Sequence, residues 1–144
     1  MSPPALFLAS LWGMGALAVL APGPSVLPRP ANLLGAIPVL LGILLHTSAS
    51  RRFAREGTTV KALGEPSALV VDGVYGVTRN PMYLAGLLIL GGAGVVLASA
   101  TPFLAVPAFA WAVRNGYILR EERMLEERFG SAYDEYRSRV RRWI

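Results

Sequence analysis

Three long stretches of this 144-residue chain carry no charged side chain: residues 1–28, 30–50 and 81–113. About 20 apolar residues cross a bilayer as a helix. In lipid every backbone polar group must be satisfied internally, which helices do within one segment. A soluble domain of this length can bury one such helix, but it has too little remaining chain to bury four. The chain therefore reads as an all-α integral membrane protein. About four transmembrane helices are expected, followed by C-terminal amphipathic helices.

The first helix is predicted over residues 4–21 and stops at Pro22-Gly23-Pro24, where prolines cannot continue the hydrogen-bond ladder. No Lys or Arg precedes its apolar run. The positive region of a cleaved signal peptide is missing, and the helix is read as retained. The second helix is expected over residues 31–50. Gly35, Ala36 and Gly42 on it allow close helix approach in lipid, and Pro38 is a candidate kink. The third helix begins at Pro81 and is predicted to end near residue 98. Ser99-Ala100-Thr101-Pro102 reads as a tight turn, with Thr101 capping the fourth helix and Pro102 at its first position. That helix runs towards residue 119 and beyond. Both later spans are short, so a thin or tilted hairpin is expected.

Charge orients the spans. Arg51, Arg52, Arg55 and Lys61 follow the second helix at once, whereas the preceding loop has only Arg29. The positive-inside rule makes the 51–80 loop cytoplasmic. Four spans then place the N-terminus, this loop and the C-terminus on one side, together with Arg79 and the C-terminal arginines. Thr58-Thr59-Val60 and Ala68-Leu69-Val70-Val71 are extended or interfacial in this reading. The net charge of +5 flanks apolar spans, so membrane lipids with anionic headgroups, not nucleic acid, are the expected partners.

The tail, residues 120–144, reads as helical. Ile118, Glu122, Leu125 and Phe129 share a face, and Gly130 is a helix-ending residue. Ser131 and Asp134 have capping-box spacing for a second tail helix. Tyr133, Tyr136, Val140 and Trp143 form an apolar stripe on it. Arg137, Arg139, Arg141 and Arg142 lie largely elsewhere, a pattern suited to the membrane surface.

Several chemistries are excluded. The chain has no cysteine and one histidine, His46. Thiolate sites, disulfides and histidine-rich metal clusters are ruled out. No metal site is expected, and His46 reads as an interfacial residue. Walker, nucleophile-elbow and Rossmann motifs are absent.

The residues left for chemistry lie in two stretches. In Arg79-Asn80-Pro81, Asn is a preferred N-cap and Pro a preferred first helical residue. The same helix N-terminus, with Arg79 beside it, suits a carboxylate or phosphate. Tyr75 and Tyr83 are either interfacial belt residues or ligand contacts. Gly86 serves helix packing or leaves room for a ligand. Glu121 and Glu122 place carboxylates just beyond an apolar helix, against the flanking positive charge. Adjacent residues point about 100° apart on a helix, so they are not a paired acid/base dyad. Glu121 shares a face with Arg114, Tyr117 and Leu125 and is the inward-facing one. An inward glutamate suits a cationic ligand or ribose hydroxyls.

The string G-V-Y-G-V-T-R-N-P-M-Y-L-A-G (residues 73–86), then a helical hairpin, then E-E-R-M-L-E-E-R-F-G-S-A-Y-D-E-Y (residues 121–136), resembles the isoprenylcysteine carboxyl methyltransferases. Phospholipid N-methyltransferases are among that family's relatives. The resemblance covers residues 58–144; the first two helices resemble nothing in particular. It implies one methyltransferase domain over residues 1–144, with two N-terminal helices (1–57) and a cofactor-binding core (58–144). The family's R-H-P-x-Y-x-G motif and downstream E-E pair bind S-adenosylmethionine. Here Asn80 stands where the histidine would be, and one extra residue separates Tyr83 from Gly86. By this resemblance Leu69, Val70, Tyr75, Asn80, Pro81, Met82, Tyr83, Glu121 and Glu122 are the cofactor contacts. Arg114 and Tyr117 are candidate substrate contacts. The expected reaction is S-adenosylmethionine-dependent methyl transfer to a lipophilic carboxylate or amine at the membrane–cytosol interface. A membrane reductase would need a nicotinamide signature that is not found. A small scaffold or subunit would leave the inward glutamate without a role.

Overall fold

A computed structural model describes residues 1–57 and 67–144. Thr58-Thr59-Val60 and Lys61, which figured in the reading of the polar loop, lie outside these residues. Among the described residues all regular structure is helical.

Helix α1 spans Pro3–Leu20. It buries only Met14 and leaves Trp12 81%, Val19 78% and Leu20 82% exposed. An apolar helix turned outward in this way is suited to lipid. Residues Ala31–Gly35 form a 3₁₀ turn that runs directly into α2, Ala36–Arg55. The second helix thus reaches five residues further than position 50. Pro38 produces no break: it stands at the third position of α2, just after the change of helix type. Its missing N–H falls where the ladder is already being rearranged. The runs Pro3–Leu20 and Ala31–Arg55 are long and apolar enough to cross a membrane.

Helix α3, Pro81–Val96, is apolar but shorter. It packs most extensively on α2, and glycine makes the contact possible. A Cβ on Gly35 would lie 2.4 Å from the Gly92 carbonyl oxygen, and one on Gly42 would lie 2.7 Å from that of Ala85. These backbones touch because no side chain stands between them.

After α3 a 3₁₀ turn, Thr101–Leu104, leads into α4, Ala105–Val113. Pro102 lies in the first turn, as expected. Thr101 does not cap it. Its hydroxyl donates to the Ala21 carbonyl at 2.7 Å, and the Ser99 hydroxyl accepts from the Gly23 N–H. This turn therefore fastens the end of α1 to the α3–α4 corner. The Phe103 ring covers Gly94, whose added Cβ would lie 2.9 Å from it.

The fourth helix continues without interruption through a π turn, Arg114–Ile118, into α5, Leu119–Phe129. Gly130, at φ 51°, ends α5. Helix α6, Ser131–Arg139, follows at once. The capping box is not formed: Ser131 is already inside the helix, and Gly130 occupies the N-cap position. Asp134 pairs with Arg137 instead. The helix stops at Val140, whose φ of −116° and ψ of 126° are extended.

The packing forms three clusters. Met14, Leu90, Phe109, Val113 and Ile118 join α1, α3, α4 and the π turn. Ala49, Val70 and Tyr75 join α2 to the segment before α3. Tyr133, Tyr136 and Val140 pack on Leu69, Leu125 and Phe129. The apolar stripe of the tail thus faces the protein, not the membrane surface. The tail's aromatic residues find a closer apolar partner in the folded-back 69–75 segment.

Candidate functional site

The chain before α3 is shaped for contact. Gly73, at φ 59°, permits the sharp entry into a 3₁₀ turn, Gly73–Gly76. Tyr75 on this turn is buried and meets the Phe53 ring edge-to-face at 5.2 Å. Its carbonyl accepts the Tyr136 hydroxyl at 2.7 Å. Burial pushes the Tyr75 and Tyr136 phenols well above the usual tyrosine range, so both stay neutral hydrogen-bonding groups.

Residues 78–80 then tie down the last five residues. The Arg79 N–H donates to the Arg141 carbonyl at 3.0 Å. The Thr78 hydroxyl and the Asn80 side-chain amide both donate to the Arg142 carbonyl, at 3.2 and 3.0 Å. Trp143 reaches the Met14–Leu90 cluster. The extended C-terminus is thus a strap across the start of α3. Asn80 stands at the N-cap position but makes no side-chain cap bond; its amide is spent on the strap. The side chain's observed partner is the strap, and no first-turn N–H of α3 donates to it.

Below the strap lies a charge cluster. Glu122 accepts two hydrogen bonds from Arg142, at 2.9 and 2.7 Å, in a bidentate pair. The Arg79 guanidinium lies 3.4 Å from the same carboxylate and donates to the Tyr133 hydroxyl at 3.2 Å. Hydrogen bonding to Glu122 holds the Arg142 guanidinium above its ordinary pKa. Two guanidiniums on one carboxylate leave a net positive charge here. The buried Arg79 Nε has no partner in the protein, and an unpaired buried donor is costly.

Glu121, one residue earlier, points elsewhere. The Tyr83 hydroxyl donates to its Oε1 at 3.0 Å. The Tyr83 and Tyr117 rings lie 6.5 Å apart, and the Tyr117 hydroxyl meets the Met1 carbonyl. The two glutamates are separated in role as the helix geometry requires: one is locked to arginines, the other to a tyrosine.

These groups surround one cavity of about 760 Å³, within the range of roughly 300–1,000 Å³ usual for small-molecule sites. All nine residues expected to hold a cofactor line it: Leu69, Val70, Tyr75, Asn80, Pro81, Met82, Tyr83, Glu121 and Glu122. Tyr117 lines it as well. Arg114 does not; its guanidinium donates to Asn115 Oδ1 at an exposed position. The reason is the π turn, which holds more residues per turn than an α-helix. Positions 114 and 117 therefore no longer share a face.

The cavity also takes in residues that sequence reasoning did not place there. Arg79, read from its position at the helix start as suited to an anion, lines it too. Tyr133 and Tyr136 were visible as a stripe, but assigned to the membrane surface. His46, Phe7, Ile89 and Phe109 also line it, and no local pattern marked them. Arg142 is joined to Glu122 across a non-helical stretch, where periodicity carries no information.

Residues 31–132 match the phospholipid methyltransferase family, and the chain belongs to this family of membrane methyltransferases. The match begins before the motif region and takes in the second helix as well as the core. A protein-S-isoprenylcysteine O-methyltransferase B of Arabidopsis thaliana is 31% identical over 104 residues, which is 71% of this chain and 53% of the plant protein. The chain thus spans about half the length of that relative. An uncharacterized protein of Haemophilus influenzae is 40% identical over 63 residues, covering 44% of this chain and all of the other. Residues 1–30, which include α1, and residues 133–144 lie outside the family match.

Proposed function

We propose that this protein binds S-adenosylmethionine in the cavity and transfers its methyl group to a lipophilic carboxylate or amine. One observation carries the reading. Arg79 of the arginine–Glu122 cluster, beside the start of α3, and a second carboxylate, Glu121, which is bonded to Tyr83, line one cavity. S-adenosylmethionine is a carboxylate with an ammonium and a sulfonium, so it needs both.

The residues fit the cofactor. Arg79, with its unpartnered Nε, and the start of α3, which no side chain caps, would hold the carboxylate. Glu121, oriented by Tyr83, would face the cationic portion or the ribose hydroxyls. Tyr75, Leu69, Val70 and Met82 supply apolar and aromatic wall, and Pro81 contributes to it at the helix start. Glu122 acts at one remove, by holding Arg79 and Arg142. When bound, the cofactor supplies a methyl carbon already activated by its sulfonium. The protein then aligns the acceptor with that carbon and excludes water. The strap over residues 78–80 serves that exclusion. A carboxylate acceptor needs no base, and an amine needs only to arrive neutral.

In the same proposal α3 and the α4–α5 rod add two short spans to the two long ones. Four spans leave the N-terminus, the 51–80 loop and the C-terminus in the cytosol. The cofactor enters from the cytosol and the acceptor from the bilayer. The cysteine-free sequence permits single-cysteine labelling to test this. Cysteines placed at Gly57 and at the C-terminus should react with a membrane-impermeant thiol reagent from the cytosolic face only. Labelling of either from the opposite face overturns the topology.

The cofactor is tested by calorimetric titration of S-adenosylmethionine, then its demethylated product, into the detergent-purified protein. Micromolar binding is expected. A folded, monodisperse sample that binds neither would overturn the reading.

A further inference from the structure

Arg79, Tyr83, Glu121, Glu122 and Tyr133, which line the cavity, are joined by hydrogen bonds and an ion pair around the start of α3. From the start of α3 the cavity follows Met82, Gly86 and Ile89, spaced i, i+4, i+7 on one face of that helix. Pro81 to Gly86 is a rise of about 7.5 Å at 1.5 Å per residue, and the Ile89 side chain leans back toward that level because helical side chains tilt toward the helix N-terminus. The lining that α1, α2 and α4 add to this face is apolar, apart from Ser2 and the exposed His46. The adenosyl and amino-acid portions of the cofactor contain no long apolar chain, so this recess suits a different occupant.

The recess has a built end. Phe7 of α1 and Phe109 of α4 meet edge-to-face, with ring centroids 6.0 Å apart and planes at 74°. Both line the cavity. Behind them Met14, Leu90 and Val113 are fully buried and do not line it. Gly86 sits against this ring pair. A Cβ there would lie 3.1 Å from the Phe109 ring edge and 3.6 Å from Phe7. The absence of a side chain at residue 86 therefore determines how much room remains in front of the rings.

We infer that the Phe7–Phe109 pair, with Gly86, is an end wall that sets the length of alkyl chain the cavity accepts. The occupant is the apolar chain of the methyl acceptor, so the inference rests on the methyl-transfer reading for its biological meaning. The wall itself can be tested without turnover. A saturated alkyl chain gains affinity with each methylene it buries. The gain stops where the chain meets the wall.

The probe is a fluorescent fatty acid bound to the full chain in detergent and displaced by saturated fatty acids of increasing length. In the wild type, affinity should rise with length and then level off. Gly86→Ala and Gly86→Val should bring the plateau to shorter chains. The valine variant should bind the longest chains about tenfold more weakly, the equivalent of two methylenes left in water. Phe7→Ala should move the plateau to longer chains, and Phe7→Leu, which keeps most of the apolar contact with the Met14–Leu90 cluster, should move it in the same direction by less. If Gly86→Val or Phe7→Ala does not fold, Gly86→Ala and Phe7→Leu still move the plateau in opposite directions. An identical plateau in the wild type and the folded variants, or no displacement in the wild type, overturns the wall. A parallel titration with S-adenosylmethionine keeps the two ideas separate. A wild type that binds alkyl chains with a wall-dependent plateau but no cofactor would sink only the methyl-transfer reading.

Discussion

The Tyr83 hydroxyl donates to Glu121 Oε1 at 3.0 Å, joining the start of α3 to the start of α5 across 38 residues of sequence. The contact fixes one carboxylate oxygen of Glu121 on the cavity wall. Its neighbour, Glu122, is turned into a pair with Arg142. Two adjacent residues of like charge thus serve different ends.

Glu121→Ala should abolish S-adenosylmethionine binding and leave the protein folded, because the residue is only partly buried and belongs to no apolar cluster. Arg114→Ala, outside the cavity, is the matched control and should bind normally. Calorimetry on both variants gives the comparison. Wild-type affinity in Glu121→Ala would remove that residue from the site.

Glu122→Ala should cost stability first. It leaves the Arg79 guanidinium, only 13% exposed, and that of Arg142, 30% exposed, without their shared carboxylate. The expected loss is about 2 kcal/mol, the scale of hydrogen bonds to charged groups. Arg142→Ala should cost less, since Arg79 still faces Glu122. Thermal unfolding in detergent ranks the two, and the reverse order would show that the strap and not the carboxylate dominates.

Asn80→Ala removes the bond to the Arg142 carbonyl and should lower stability by about 1 kcal/mol. The C-terminal strap should loosen, with faster amide exchange at Arg79, whose N–H donates to the Arg141 carbonyl. Cofactor affinity should fall as well, because residue 80 lines the cavity. Lower stability with unchanged affinity would confine Asn80 to the strap.

Neighbouring glycines of α3 should respond in opposite directions. A Cβ on Gly92 would lie 2.5 Å from the Gly35 carbonyl oxygen, whereas one on Gly91 would meet nothing within 4 Å. Gly92→Ala should destabilise by about 1–3 kcal/mol through forced separation of α2 and α3. Gly91→Ala should be neutral or stabilise by up to about 1 kcal/mol, since alanine is the better helix former. Equal effects in a thermal melt would contradict the close α2–α3 packing.

Much of the site was legible because its motifs are local. Asn80, Pro81, Met82 and Tyr83 occupy one helix start, and Glu121-Glu122 one helix turn, so each group is visible as a local pattern, while the family resemblance was what joined them into one expected site. Arg114 was misplaced for a physical reason. The face argument assumed an unbroken α-helix, and the π turn at Arg114–Ile118 shifts the register. The caps at Thr101 and Ser131 were misread for another. Hydroxyl residues at helix starts usually bond locally, but Thr101 found the carbonyl end of α1, far away in sequence.

By itself the sequence determined that the chain is helical and apolar over its long uncharged runs, because hydropathy and proline placement act within single segments. It also determined which residues stand at helix starts and which carboxylates stand beside one another. Only the tertiary structure decided what those residues face. The tail's tyrosines turned inward because residues 69–75 folded back to meet them. Arg142 reached Glu122 because hydrogen bonds from residues 78–80 laid the strap across α3. The cavity exists because α1, α2, α4 and the tail converge on one face of α3, and such long-range convergence is not encoded in any local period.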